Sequence, residues 1–210
     1  MVTDFDPKER FGSPWIDLST RIDETMTIFT DGDYSDPPFR ASPWARLADC
    51  GFEVWKLELG TQTGTHIDAP AHFHAGGASL AELDADQCIG RYESVTSEQL
   101  SAGAIEKVHQ TCSHLFLDVR SRLIVPKAAV ESLLPITPVI WVMAGQITVD
   151  DHDPYWFNRR LAEAGKYLVE DLDMAGVGEL APSGEIITLP LKLGALSGAP
   201  TRVLIRSDAS

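Results

Sequence analysis

Three of the six histidines in this 210-residue chain, His66, His72 and His74, fall within nine positions of each other. Asp68 follows His66 by two residues, and on an extended segment residues two apart project to the same side. An imidazole and a carboxylate presented together make a pair of metal ligands or an acid/base pair. Pro70 cannot donate to a sheet ladder, so the strand should stop there and the chain turn before His72. Gly60, Gly64, Gly76 and Gly77 punctuate both ends of the stretch. Taken singly, a turn histidine is more often a hydrogen-bonding residue, and an Asp before Ala-Pro a turn former. His74 reads that way. The group of His66, Asp68 and His72 within seven positions reads as functional.

The surrounding elements must position these groups. Phe52-Glu-Val-Trp-Lys-Leu-Glu-Leu alternates, predicting a half-buried strand that runs straight into the histidine segment. Ser79 to Gln87 predicts a short helix, with Ser79 as N-cap and Glu82 closing a capping box. Trp15 to Ser19, Ile89 to Val95, Glu185 to Leu193 and Thr201 to Ile205 read as strands, with Pro190 marking an edge or bulge. Ser97 to Val108 reads as turn then helix. His114 to Val119 and Pro138 to Met143 read as buried strands around a helix opened by Pro126, which is a β-α-β crossover. Tyr155 to Ala164 has helical spacing and Gly165 to stop it. Tyr167 to Leu172 reads as a strand carrying Glu170. The turn-rich loop from Asp31 to Pro38 brings Tyr34, and beyond it Phe39, as pocket-lining candidates for substrate. The pattern is mixed α/β: a loose segment over 1–14, then one compact domain over 15–210.

Composition excludes several function classes. A formal charge of −14 repels phosphate backbones and offers no basic face to anionic membranes. No run of about 18 apolar residues exists, and the start lacks an apolar signal core. The three cysteines, Cys50, Cys88 and Cys112, form no disulfide framework or Cys-x-x-Cys knuckle, so buried free thiols in the cytoplasm are expected.

Gly64-Thr-His-Ile-Asp-Ala-Pro-Ala-His-Phe resembles the signature of the cyclase family that includes bacterial kynurenine formamidases and isatin hydrolases. That pattern runs His-x-Gly-Thr-His-x-Asp-x-Pro-x-His. Ile16-Asp-Leu-Ser, Val169-Glu-Asp-Leu, Leu189-Pro-Leu-Lys-Leu and Gly198-Ala-Pro resemble further family segments, so the likeness spans residues 15–206. It implies a swivelling β/β/α domain, usually oligomeric, with a metal site for amide hydrolysis. It further implies one metal at positions 62, 66 and 68, a second sharing Asp68 with positions 158 and 170, and His72 as general acid/base. Two positions depart from the pattern: Gln62 and Asn158 stand where the formamidases have His. An amide oxygen is a weak neutral ligand, whereas Zn²⁺ prefers imidazole or thiolate.

The expected function is therefore hydrolysis of an amide, lactam or lactone in a small carbonyl compound by activated water. His72, His66, Asp68 and Glu170 are its catalytic candidates, and Gln62, Asn158, Tyr34 and Phe39 are substrate-binding candidates. At most one divalent metal, Zn or Mn, is expected on His66, Asp68, Glu170 and Gln62, or none. One alternative is a ring-closing or dehydrating cyclase of secondary metabolism that uses metal-free acid/base chemistry. Another is a non-catalytic binding protein on the same fold. A homodimer or larger homo-oligomer is expected, without nucleic-acid or membrane partners.

Overall fold

The computed structural model describes residues 14–102, 112–135, 138–175 and 177–208. Its centre is an eight-stranded mixed sheet that closes on itself. In chain order its strands are β1 (Ile16–Asp17), β6 (His66–Asp68), β7 (Ile89–Thr96), β8 (His114–Val125), β9 (Ile140–Val149), β10 (Tyr167–Glu170), β11 (Ser183–Pro190) and β12 (Gly198–Ser207). The spatial order is β1-β12-β11-β7-β8-β9-β10-β6, and β6 pairs a second time with β12. The three residues of β6 thus close a ring of strands. β2 (Thr30–Asp31) with β3 (Tyr34–Ser35), and β4 (Arg40–Ala45) with β5 (Val54–Glu58), form two small separate hairpins.

Strand alternation divides the apolar residues between two layers. Inside the ring, Ile67, Tyr92, Phe116, Ile140, Val142, Val169 and Ile186 form one core. Outside it, Leu115, Leu117, Trp141, Met143 and Leu168 pack under three helices, α2 (Ser97–Ala102), α3 (Lys127–Leu133) and α4 (Trp156–Glu163). β8 and β9 are parallel neighbours joined through α3, the crossover read from the sequence. Gly165, at φ 72°, ends α4 as expected.

Four expectations change. Ser79 does cap and Glu82 does complete a capping box, but the helix is only the 3₁₀ turn Leu80–Glu82, followed by a second such turn, Ala85–Gln87. Asp84 makes its own capping box with Gln87, restarting the chain before one helix can propagate. The strand in 52–59 exists as β5, but all five of its residues are exposed. It pairs with β4 alone, as an arm off the sheet. Cys50, in the short helix α1 (Leu47–Cys50) at the arm's tip, is exposed, so only Cys88 and Cys112 are buried thiols. β11 stops at Pro190, with no ladder over 191–193. The 1–13 segment and the helix beyond Ala102 lie outside the described residues.

His114 sets a pH dependence for the fold. It is fully buried on β8, with Nε2 2.8 Å from Thr188 Oγ1 and Nδ1 2.8 Å from Ser113 Oγ. Burial pushes its pKa down to about 3 from 6.5. The unfolded chain therefore takes up this proton near pH 6.5, which the native chain resists until about pH 3. The stability His114 contributes is complete above pH 6.5 and declines as pH falls toward 3, by up to about 1.4 kcal/mol per unit. Urea unfolding at pH 7 and pH 5 should show a smaller loss in His114→Gln than in wild type. Equal losses would mean that His114 is not a source of the acid sensitivity.

Candidate active site

β6 builds the site because both of its edges are occupied. His66 pairs with Glu170 of β10 on one side and Pro200 of β12 on the other, and Asp68 pairs with Leu168 and Gly198. Ile67 points into the ring core, so His66 and Asp68 point outward, toward the layer of α4. Both are 5% exposed. Gly64, at φ 63°, turns the chain into β6 with Ile22 pressed against it. The Gly64 carbonyl lies 2.8 Å from His66 Nδ1, which takes up that nitrogen and leaves Nε2 for the site. Nε2 is 3.6 Å from Asp68 Oδ1.

Pro70 opens the 3₁₀ turn Pro70–His72, which brings His72 back over Asp68. His72 Nε2 is 4.0 Å from Asp68 Oδ2, and its Nδ1 is 3.5 Å from Gln62 Nε2. Gln62 Nε2 also donates to Asp68 Oδ1 at 3.3 Å, while Gln62 Oε1 accepts from Thr61 Oγ1 at 2.5 Å. Gly198 makes room for this, since a Cβ there would lie 2.5 Å from Gln62 Nε2. Across the site, Asn158 on α4 donates Nδ2 to Glu170 Oε2 at 3.2 Å. Both amides thus aim an N–H at a carboxylate.

Burial, then repulsion from Asp68 and Asp171, holds the Glu170 carboxyl well above the usual range. A hydrogen bond with Asp68 adds to the rise, and the Asn158 amide opposes it. Asp171 is a member of the site that the motif did not reveal. Its φ is 58°, and its Oδ2 lies 3.8 Å from His66 Nδ1. Desolvation pushes its carboxyl up, His66 opposes this, and Asp68 and Asp36 add repulsion. Its side chain still exposes 67% of its surface, so solvent blunts the shift. Thr65 Oγ1 and Thr20 Oγ1 both donate to the Asp171 carbonyl, at 2.6 and 2.7 Å, fixing its unusual backbone. The legible signal was an acidic residue directly after Glu170.

Two aromatic neighbours were also missed. The Phe73 ring stands edge-on to His72 with centroids 4.5 Å apart, and Tyr155 stacks on Phe73 at 6.1 Å. Of the aromatics expected to line a pocket, Tyr34 is exposed, makes a local hydrogen bond to Asp36 and packs near Phe29. Phe39 is half-buried just before β4. His74 is exposed.

Among the described residues, one ligand atom each from His66, Asp68 and Glu170 lie within 4.8 Å of one another. One imidazole and two carboxylates, with the second imidazole nitrogen already committed, suit a single divalent cation such as Zn²⁺ or Mn²⁺. A second cation fits poorly, because Gln62 and Asn158 present hydrogen-bond donors where a second ion would need lone pairs.

The closed sheet has counterparts among solved structures. The fold is similar to isatin hydrolase A from Ralstonia solanacearum, with TM-score 0.76, 16% identity and coverage of 95% of this chain and 94% of that one. It is similar to isatin hydrolase A from Labrenzia aggregata, with TM-score 0.73, 19% identity and coverage of 93% and 94%. It is also similar to a protein from Bacillus stearothermophilus described as a predicted metal-dependent hydrolase, with TM-score 0.67, 18% identity and coverage of 91% and 97%. In sequence, the chain is 28% identical over 215 residues to a kynurenine formamidase of Bacillus cereus, covering 92% of this chain and 98% of that protein. The Cyclase family profile, described as "Putative cyclase", matches residues 16–120. The chain belongs to the Cyclase family and is an enzyme of its hydrolase or cyclase type. Among the described residues no helix is long and apolar enough to cross a membrane.

Proposed function

We propose that this enzyme hydrolyses an amide, lactam or lactone bond of a small carbonyl compound. The observation that carries the reading is the convergence of His66 and Asp68 of the closing strand, His72 of the following turn and Glu170 of β10. His66, Asp68 and Glu170 would hold one divalent cation, which when bound polarises a carbonyl and lowers the pKa of water. His72 takes the proton from the attacking water and returns it to the leaving nitrogen or oxygen. Asp68 orients both imidazoles, and the Gln62 and Asn158 amides hold the carboxylates in place. The test is elemental analysis followed by a screen of N-formyl aromatic amines, lactams and lactones, with and without a chelator. Carboxylate release that is lost on chelation and restored by Zn²⁺ or Mn²⁺ supports the reading. Absence of hydrolysis across all three classes overturns it.

A second reading is a metal-free ring-closing or dehydrating cyclase. What favours it is the pair of amide N–H groups aimed at Asp68 and Glu170 where the formamidase pattern has metal-binding imidazoles. A product retaining the ring, formed by protein free of metal, would select it.

We also propose that the chain works as a homodimer or larger oligomer. Trp44 is 75% exposed and Leu47 68%, and Phe52, Trp55 and Leu57 are exposed on the same arm. Such a patch is the usual mark of an interface. Light scattering at micromolar concentration should give a multiple of 23.0 kDa, and Trp44→Ser with Leu47→Ser should lower it. A wild-type monomer would contradict the proposal.

A further inference from the structure

A closed set of contacts links His66 to Asp171. Thr65, beside His66 in the chain and 2% exposed, receives the Thr20 amide on Oγ1 at 2.8 Å. The same hydroxyl donates to the Asp171 carbonyl at 2.6 Å, and Thr20 Oγ1 donates to that carbonyl at 2.7 Å. Just beyond, Ser19 makes a β-bridge with Leu172, and the Asp173 amide donates to the Leu18 carbonyl at 2.8 Å. The chain leaving β10 is thereby held at three successive residues, with Asp171 at φ 58°. Left-handed backbone costs energy for a residue with a side chain, although Asp and Asn tolerate it better than most.

The turn brings the Asp171 carboxylate back beside β6, with Oδ2 3.8 Å from His66 Nδ1. The Gly64 carbonyl lies 2.8 Å from the same nitrogen. A carbonyl oxygen can only accept, so Nδ1 carries a proton. In the neutral ring Nε2 is then the lone-pair nitrogen. It faces Asp68 Oδ1 at 3.6 Å, where ligand atoms of His66, Asp68 and Glu170 converge. A carboxylate behind the far nitrogen of a ligating imidazole fixes the ring and strengthens its bond to a metal.

We propose that Asp171 is a positioning residue for His66: its carboxylate, aimed by the clamped turn, holds the ring with Nε2 toward the cation position and strengthens the imidazole's hold on a divalent ion. The proposal rests on the one-cation form of the hydrolytic reading and assigns a role to a residue outside the ligand set. It also accounts for the backbone. Glycine would suit φ 58° better, but it would bring no charge to His66. The Thr20 and Thr65 hydroxyls hold the turn, so that the carboxylate stays beside the imidazole although its own side chain is 67% exposed.

The test is isothermal titration of the chelator-treated, dialysed protein with Zn²⁺, on wild type, Asp171→Asn, Asp171→Gly and Asp36→Asn, with a thermal melt of each metal-free protein. Asn keeps the shape and tolerates the turn, and Gly suits the turn without a side chain. Asp36 also repels Asp171, so its substitution controls for the loss of one charge nearby. Both Asp171 variants should bind Zn²⁺ about tenfold more weakly at unchanged stoichiometry, the low end of the usual effect because the carboxylate is solvated. Asp36→Asn should lose less than about threefold, since charges across solvent are screened. Asp171→Gly should melt at or above the wild-type temperature. Unchanged affinity in both Asp171 variants overturns the inference and leaves the one-cation reading standing. An equal loss in Asp36→Asn overturns it too, by making Asp171 a bulk charge, and so does a lowered melting temperature in both Asp171 variants, by making it a prop for the turn. No binding by wild type sinks the one-cation reading and the inference with it. If one Asp171 variant fails to fold, the other carries the comparison.

Discussion

His72→Ala is expected to lower kcat by about 10²–10⁴-fold on any compound the wild type hydrolyses, with little change in thermal stability. The geometry separates this histidine from His66. His66 is buried between two strands with one nitrogen spent on the Gly64 carbonyl, as befits a fixed ligand. His72 sits on a one-turn helix, its side chain 31% exposed, close enough to Asp68 to be steered but not locked. Thr61 donates to the oxygen of Gln62, so the amide presents N–H to His72 Nδ1. With Asp68 Oδ2 4.0 Å from Nε2 and the Gln62 amide 3.5 Å from Nδ1, the ring has a set orientation from which to exchange protons. Removing a partly exposed side chain opens no core cavity, so activity and stability should part company. Steady-state kinetics with a thermal melt checks this. Wild-type kcat in a folded variant would assign the proton transfer to another group.

The site was legible where its residues are contiguous. The spacing of His66, Asp68 and His72 around Pro70 encodes a short strand and a turn, and local chemistry decides both. Glu170 was legible through its own motif, and the register of β10 against β6 sets it opposite His66. Asp171, Phe73 and Tyr155 were not assigned, because their roles come from a strained backbone and from ring contacts between distant segments. The ring of strands was likewise hidden. Closure depends on the double pairing of a three-residue strand, which no periodicity announces. Alternation in 52–59 correctly signalled a strand with an apolar side, but alternation says nothing about what covers that side. Among the described residues, nothing does.

Gln62→His combined with Asn158→His is expected to tighten Zn²⁺ binding by at least about tenfold and to add a second bound ion. In the wild type the three groups that converge, His66, Asp68 and Glu170, supply one imidazole and two carboxylates, enough for one cation. Gln62 has its oxygen taken by Thr61 and its nitrogen turned on Asp68, so it contributes a hydrogen bond rather than a lone pair. Asn158 does the same toward Glu170 from the other side. Gln62 faces Asp68 and Asn158 faces Glu170, so each substitution exchanges a donor for a ligand beside a carboxylate. Gly198 leaves space beside position 62, and position 158 is half-buried and faces Glu170 rather than lying in the Phe157–Leu161 stripe of α4. Neither change should disturb the fold, and each alone should give a smaller gain, because positions 62 and 158 would serve different ions. Isothermal titration with Zn²⁺ on wild type, single and double variants reads stoichiometry and affinity directly. Two tightly bound zinc ions in the wild type would mean that the amides rotate to offer oxygen, and the enzyme would then be a two-metal hydrolase.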